Sequence, residues 1–346
     1  MRQQAAREVA FAVLVLAMPV HAQTCPADLT LDRVVDGSDL GALLGAWGSC
    51  PGCAADLNAD AVVNADDLGA LLGAWGPCLP TVPAWATLVE PWPSIAAVPD
   101  SRIRAELRST GLAWRVLHAA SGIEMLLVPP GLFDMGCSVG SVNIDCMPIE
   151  EPVHTVRLTS PFYMARHEVT QARWQAIMGS NPSLFQGPEY PDAASRPVER
   201  VSWDGVQAFL AATGLRLPTE AEWEHACRAG TTTAFHNGTN IDSTLRFLAW
   251  YWGNAGGMTR PVGQKQGNGF GLHDMLGNAW EWVADWYGVY GVEFQVDPQG
   301  PKSGEFRVIR GGGWGFDYEY VRNSGRMFME PSAWNAGVGF RVAMSP

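Results

Sequence analysis

The sequence predicts a loop-rich domain of short helices and strands, carried behind a small all-α module. Three observations lead there. Residues that interrupt regular structure are abundant, 38 Gly and 24 Pro in 346 residues, which excludes a coiled coil or a bundle of long helices. Apolar surface is nevertheless plentiful, with 15 Trp and 47% hydrophobic residues, so the chain can bury a core and is not disordered. Finally, residues 25–78 contain two copies of one unit, offset by 28. The formal net charge of −12 excludes nucleic acid as a natural partner, because phosphate is repelled.

The first element is an expected export signal over 1–22. Arg2 and Arg7 precede an apolar run from Val9 to Val20, and Ala22 supplies the small residue at the cleavage point. That run is too short to span a bilayer, and no longer one follows. The expected location is therefore secreted, extracellular or periplasmic, where disulfides persist. The seven cysteines, at 25, 50, 53, 78, 137, 146 and 227, leave at least one thiol unpaired.

The repeat at 25–78 has oxygen donors at the spacing of a calcium loop. In the second copy Asp56, Asn58 and Asp60 occupy loop positions 1, 3 and 5, Val62 offers a main-chain carbonyl at 7, and Asn64 and Asp67 stand at 9 and 12. The first copy offers Asp28, Thr30, Asp32, Val34, Asp36 and Asp39. Eight Asp against one Arg between residues 24 and 79 would repel one another without a cation. The alternative is a disulfide-stapled helical pair with solvated aspartates. A short helix follows each loop, with Leu40, Leu43, Leu44 and Trp47, then Leu68, Leu71, Leu72 and Trp75, spaced as one apolar stripe. Position 6, where a tight turn favours glycine, holds Arg33 and Ala61. Four cysteines allow three pairings, and repeat symmetry favours Cys25–Cys50 and Cys53–Cys78. The unit resembles the dockerin module, an EF-hand-like pair of calcium loop–helix repeats. That resemblance implies a cohesin-like or cell-surface protein as partner.

Residues 79–100 carry five prolines and read as a linker. From 101 to 346 the signals are those of a second domain. A short helix is expected at 103–109, and strands at 114–118 and 123–128. Thr170, Ser202 and the Thr219/Glu222 capping box open three helices, stopped by Gly179, by Gly214 and near Gly230. Short strands are expected at 153–159, 306–310 and 338–343. Cys137 and Cys146 read as a structural disulfide, Cys227 as a buried thiol, and Glu220, Glu222 and Glu224 as capping or solvated carboxylates.

The motif series of this second domain identifies a family. Arg216-Leu217-Pro218-Thr219-Glu220-Ala221-Glu222-Trp223-Glu224 is followed by Gly271-Leu272-His273-Asp274-Met275 and by Gly277-Asn278-Ala279-Trp280-Glu281-Trp282. Arg310-Gly311-Gly312-Gly313-Trp314 and Gly339-Phe340-Arg341 close the series, with Glu168-Val169-Thr170 and Val201-Ser202-Trp203 upstream. The domain resembles the formylglycine-generating enzyme, or sulfatase-modifying factor, family. The resemblance implies an α+β, C-type-lectin-like fold with little regular secondary structure. It also implies oxidation of a sulfatase cysteine at a copper(I) ion held by two thiolates.

The positions matching those copper cysteines are Phe316 and Val321, which offer no donor, and no cysteine follows Cys227. Copper is therefore not expected, and no catalytic residue is assigned. The His-x3-His spacing of an iron-dependent branch is also absent. A family calcium site maps onto Asp274, Gly277, Ala279 and Glu281. The expected function is a non-catalytic peptide- or glycan-binding domain, with Trp250, Trp252, Trp280, Trp282, Trp286, Trp314 and Trp334 as candidate groove residues. The competing expectation is an oxidase acting on sulfatase cysteines through non-standard ligands.

Overall fold

The computed structural model describes residues 25–30, 34–137, 146–240 and 242–346. The expected export signal at 1–22 and the loop residue Asp32 lie outside the described residues. The chain divides into two compact units at Leu79/Pro80.

In the small unit each loop feeds a nine-residue helix. The order is β1 (Val34–Val35), α1 (Gly37–Gly45), β2 (Gly48–Ser49), β3 (Val62–Val63), α2 (Ala65–Gly73) and β4 (Gly76–Pro77). Asp36 and Asn64 cap the helices, and Asp39 and Asp67 close the capping boxes from the third helical position. The strands then cross between repeats. β1 pairs with β4, and β2 with β3, both antiparallel. Val35, Leu43, Val63 and Leu71 form the centre. The apolar stripe is narrower than its spacing suggests: Leu44, Trp47, Leu72 and Trp75 are all about half exposed.

This crossing corrects the expected disulfides. Cys25 bonds to Cys78 and Cys50 to Cys53, rather than Cys25–Cys50 and Cys53–Cys78. The β1–β4 ladder draws the end of the second repeat to the start of the first. At the junction, Cys50 N–H donates to Ala61 and Cys53 N–H to Cys50, so the linking turn closes on itself.

The large unit begins earlier than expected. Its elements are β5 (Ala86–Glu90), α3 (Ser101–Ser109), β6 (Arg115–His118), β7 (Glu124–Val128), β8 (Gly131–Met135), β9 (His154–Leu158) and β10 (Phe162–Ala165). Then come α4 (Gln171–Met178), α5 (Trp203–Thr213), α6 (Glu220–Arg228), α7 (Leu245–Leu248), β11 (Trp280–Trp286) and β12 (Gln295–Val296). β13 (Arg307–Arg310), β14 (Arg326–Met329), β15 (Val338–Phe340) and β16 (Ala343–Met344) complete it. They form sheets ordered β16-β10-β7-β6-β5, β14-β13-β11-β15 and β12-β9-β8.

The stretch 79–100 is therefore not a free linker. β5 pairs antiparallel with β6, Trp85 packs edge-on against Tyr163, and Val98 is fully buried. Its prolines flank a paired edge strand, which needs hydrogen bonds on one side only. The capped helices form where expected. Thr170, Ser202 and Thr219 each accept an amide from the first turn, and Gly179 and Gly214 stop their helices with φ of 75°. The expected strand at 338–343 is two strands in different sheets, and the chain crosses between them at Arg341.

Buried ion pairs hold the loops. Glu150 receives Arg322, Glu220 receives Arg326, Glu281 receives Arg341, and Glu224 receives both Arg228 and Arg310. Glu220 and Glu224 thus depart from the expected solvated role; of that helix-face trio, only Glu222 caps, and it also binds Arg216. Cys137–Cys146 is formed, and Cys227 is a buried free thiol.

Candidate functional site

The glycine motifs meet at one place because side chains there would collide. Gly277 N–H donates to Gly311 (2.8 Å) and Asn278 N–H to Trp250 (2.7 Å). A Cβ on Gly277 would lie 2.3 Å from the Trp250 carbonyl oxygen, and its φ is +77°. Trp314 N–H donates to Asn278 (2.9 Å) and Trp280 N–H to Gly337 (2.8 Å), so the segments around 250, 278, 312 and 337 are laced together.

The two positions matching the copper cysteines lie in this lacing. The Phe316 ring sits edge-on to Trp280 (5.3 Å between centroids) and to Tyr320 (5.4 Å). Its carbonyl accepts Trp252 N–H at 2.9 Å. Val321 is fully buried, and its Cγ2 would lie 2.7 Å from a Cβ on Gly312. A phenyl ring and an isopropyl group give copper(I) no donor, so these residues do not fit that ion. The free thiol of Cys227 is no substitute, because burial pushes it far above the range in which it ionises.

The expected tryptophan groove is corrected in part. Trp280 and Trp282 are core residues. Trp286 lies against the Arg307 guanidinium, which also covers Trp203. Trp250 lies beneath Lys265. Trp252 (71% exposed) and Trp334 (57%) remain as open aromatic surface, with the Arg200 guanidinium 5.1 Å from the Trp334 ring. Phe185 backs Trp314 edge-on.

Asp274 and Glu281 are buried, but their partners differ in kind. Asp274 Oδ2 accepts Gly263 N–H at 2.6 Å, at a φ of +53°. Glu281 is bound by Arg341 through both oxygens and accepts the Trp223 indole N–H (2.7 Å). Burial pushes Asp274 up to about 6. No ligand role was expected for Glu168, yet both of its carboxylate oxygens are buried with no hydrogen-bond partner. Burial, then the charges of Asp274 and Glu281, drive its carboxyl well above the usual range. With Arg341 committed to Glu281, burial and the neighbouring carboxylates bias Glu168 toward its neutral form. Only the Glu168-Val169-Thr170 motif pointed at this residue in the sequence.

In the small unit the predicted second-loop donors curl around one turn. Asp56 accepts the amides of Asp60 and Ala61, Asn58 that of Asp60, and Asp60 that of Val62. Asn64 Nδ2 reaches the Val62 carbonyl. Asp67 is buried and accepts the amides of Leu57, Asn58 and Asn64, which hold its carboxyl low. Ala61 adopts φ +70°, the conformation that glycine would take at position 6. In the first loop, burial pushes the Asp39 carboxyl up, but amides of Asp36 and Thr30 outweigh it. Asp28 is buried, and Val34 lies in β1. Among the described residues, no group of three His, Cys, Asp or Glu side chains is set for a metal. The loop donors also include carbonyl and amide oxygens.

Comparison with known proteins decides the family. The description "sulfatase-modifying factor enzyme 1-like domain" matches residues 117–346. The chain belongs to this family. Its sulfatase-modifying-factor-like domain is similar to the formylglycine-generating enzyme of Mus musculus, 35% identical over 282 residues, covering 64% of this chain and 74% of that one. It is 33% identical over 246 residues to a serine/threonine-protein kinase pkn1 of Chlamydia caviae, of which it spans only 38%. Among solved structures it is similar to Treponema denticola variable protein 1, with TM-score 0.58 and 30% identity, covering 65% of this chain and 95% of that one. The mixed α/β fold is accordingly that of the formylglycine-generating-enzyme and C-type-lectin-like group. No described helix is long and apolar enough to cross a membrane.

Proposed function

We propose that this protein is an exported, non-catalytic relative of the formylglycine-generating enzymes. Its large unit binds a peptide or glycan, and its small unit attaches it to another protein. The observation that carries this reading is the pair Phe316 and Val321, hydrocarbon side chains packed where copper ligation would need sulfur. Trp252, and Trp334 with Arg200 beside it, supply exposed aromatic surface of the kind recognition sites use. Three disulfides and the N-terminal segment support export.

Calcium is proposed at both units. In the small unit the donor pattern supports dockerin-like loops and hence a cohesin-like or cell-surface partner. In the large unit Asp274, Glu281 and the carbonyls of Gly277 and Ala279 would hold the ion, with Glu168 as a further carboxylate. A bound calcium there supplies charge compensation and holds the loops rather than reacting.

The test is to load the purified chain anaerobically with copper(I) and offer it a cysteine peptide of the sulfatase type. The expected result is no stoichiometric copper and no aldehyde by mass. Aldehyde at enzymatic turnover overturns the reading in favour of an oxidase. On peptide and glycan arrays, binding to one class that is lost in Trp252→Ala or Trp334→Ala supports the recognition face.

A further inference from the structure

A polar cavity lies beside the start of α6. Its volume is about 350 Å³. Its apolar wall includes Met135, Val289, Pro298 and Pro301, and its polar lining includes Asp285, His154 and the Glu220–Arg326 ion pair. Asp285 is 4% exposed. Its Oδ2 accepts the Glu220 amide at 2.8 Å, and among the described residues Oδ1 takes no hydrogen bond and Asp285 joins no ion pair. His154, also 4% exposed, uses Nδ1 against the Pro152 carbonyl (3.1 Å).

The loop above this carboxylate is held in place by hydrogen bonding. Asp297 accepts the Thr159 amide at 2.8 Å, and Gly300 then passes over Asp285 at φ +67°. A Cβ on Gly300 would lie 3.0 Å from Asp285 Oδ1, so bare backbone roofs the acid. The other buried carboxylates of α6 have their cations: Arg326 is bound to Glu220 through both oxygens, and Arg228 and Arg310 serve Glu224. Arg307 is held between Trp203 and Trp286, with its Nη1 donated to Ala284. Among the described residues Asp285 is in no direct ion pair, although the charges of Arg326 and Arg307 reach it.

We infer that this cavity is a binding site for an alkylammonium group, with Asp285 as the counter-ion and the proline-lined wall receiving the alkyl stem. A small primary amine or a lysine side chain carries that chemistry. Anions are disfavoured by Asp285 and Glu220 together. The groups facing Asp285 are Glu220 and Glu222 from α6, Arg326 from β14, Arg307 from β13, His154 from β9 and Tyr290. Burial, then the Glu220 charge, push Asp285 up to about 8, so it holds a proton near neutrality and gives it up when the ammonium arrives. Bound affinity therefore weakens about tenfold per unit as the pH falls below about 8, while the amine itself stays protonated throughout.

The test uses the full chain with butylammonium chloride, 1-butanol as the uncharged isostere, and sodium chloride to match ionic strength. Thermal unfolding and calorimetric titration read the result. A saturable rise in Tm with butylammonium alone, its affinity weakening about 50-fold from pH 8 to pH 6, is expected. Asp285→Asn keeps the acceptor for Glu220 N–H and is expected to abolish the response. An end-blocked Gly-Lys-Gly peptide separates the sources: binding of both probes assigns a lysine side chain, and binding of butylammonium alone a free amine. Equal responses to butanol and butylammonium, no saturable response at pH 8, or a response insensitive to pH overturns the proposal. The wild-type arms decide alone should Asp285→Asn fail to fold. Copper and array results do not bear on this site.

Discussion

Single residues in this domain act mostly through buried charge. Glu224 accepts Gly136 N–H, Arg228 and Arg310 at once, with no exposure. Glu224→Gln leaves two guanidinium groups short of a counter-ion, and denaturant unfolding should show a loss of about 3–5 kcal/mol. Glu199 behaves in the opposite sense. Its Oε1 accepts Leu184 and Phe185 amides, but Oε2 is buried without a partner, and burial pushes the carboxyl up to about 7. The folded state then holds a proton that the unfolded state releases near pH 4.5. Stability contributed by this group should fall as pH rises from about 4.5 to about 7 and level off above. Glu199→Gln should flatten that part of the profile, measured as Tm against pH. Charged residues in motifs were legible in the sequence, but their partners were not. Glu220 and Glu224 look like an exposed helix face until Arg326 and Arg310 arrive from strands about a hundred residues later. The chemical absence at Phe316 and Val321 was legible, because it depends only on which atoms are there.

Elements were legible where a local signal marks both ends. The helices at Gln171–Met178, Trp203–Thr213 and Glu220–Arg228 have a hydroxyl cap before them and a left-handed stop after. Thr219→Ala should cost about 1 kcal/mol by removing that cap. The strand Trp280–Trp286 was hidden, since it is buried nearly throughout and shows no alternation. Its entrance is a close backbone approach, matched only at Gly325 and Gly339 among the glycines of the described residues. Gly277→Ala pushes a methyl into the Trp250 carbonyl at an unfavourable φ, so it should destabilise more than the cap loss, with Trp250 and Trp280 fluorescence reporting local disorder. In the small unit, symmetry of sequence suggested that each repeat closes on itself. Strand exchange between repeats reverses that, and peptide mapping should recover Cys25 linked to Cys78 and Cys50 linked to Cys53. The long bond closes a loop with separation 53, and the chain-entropy relation gives it about 4 kcal/mol, against about 2 for its short companion.

At the scale of the whole molecule the boundary lies at Leu79/Pro80, not after residue 100. A chain starting at Pro80 should unfold cooperatively. One starting at residue 101 loses β5 and the Trp85 contact with Tyr163 and should melt at lower temperature, as scanning calorimetry would show. The sequence misplaced this edge because prolines look alike whether they precede open chain or an edge strand. Chelation should lower the transition of the small unit when calcium occupies its loops. The cystine joining Cys25 to Cys78 has one more consequence. It holds the way in and the way out of the repeat pair side by side, with 5.6 Å between Cα atoms. A cassette with adjoining doors can be spliced into or lifted out of a host polypeptide without stretching what lies on either side. Geometry alone thus makes this module portable.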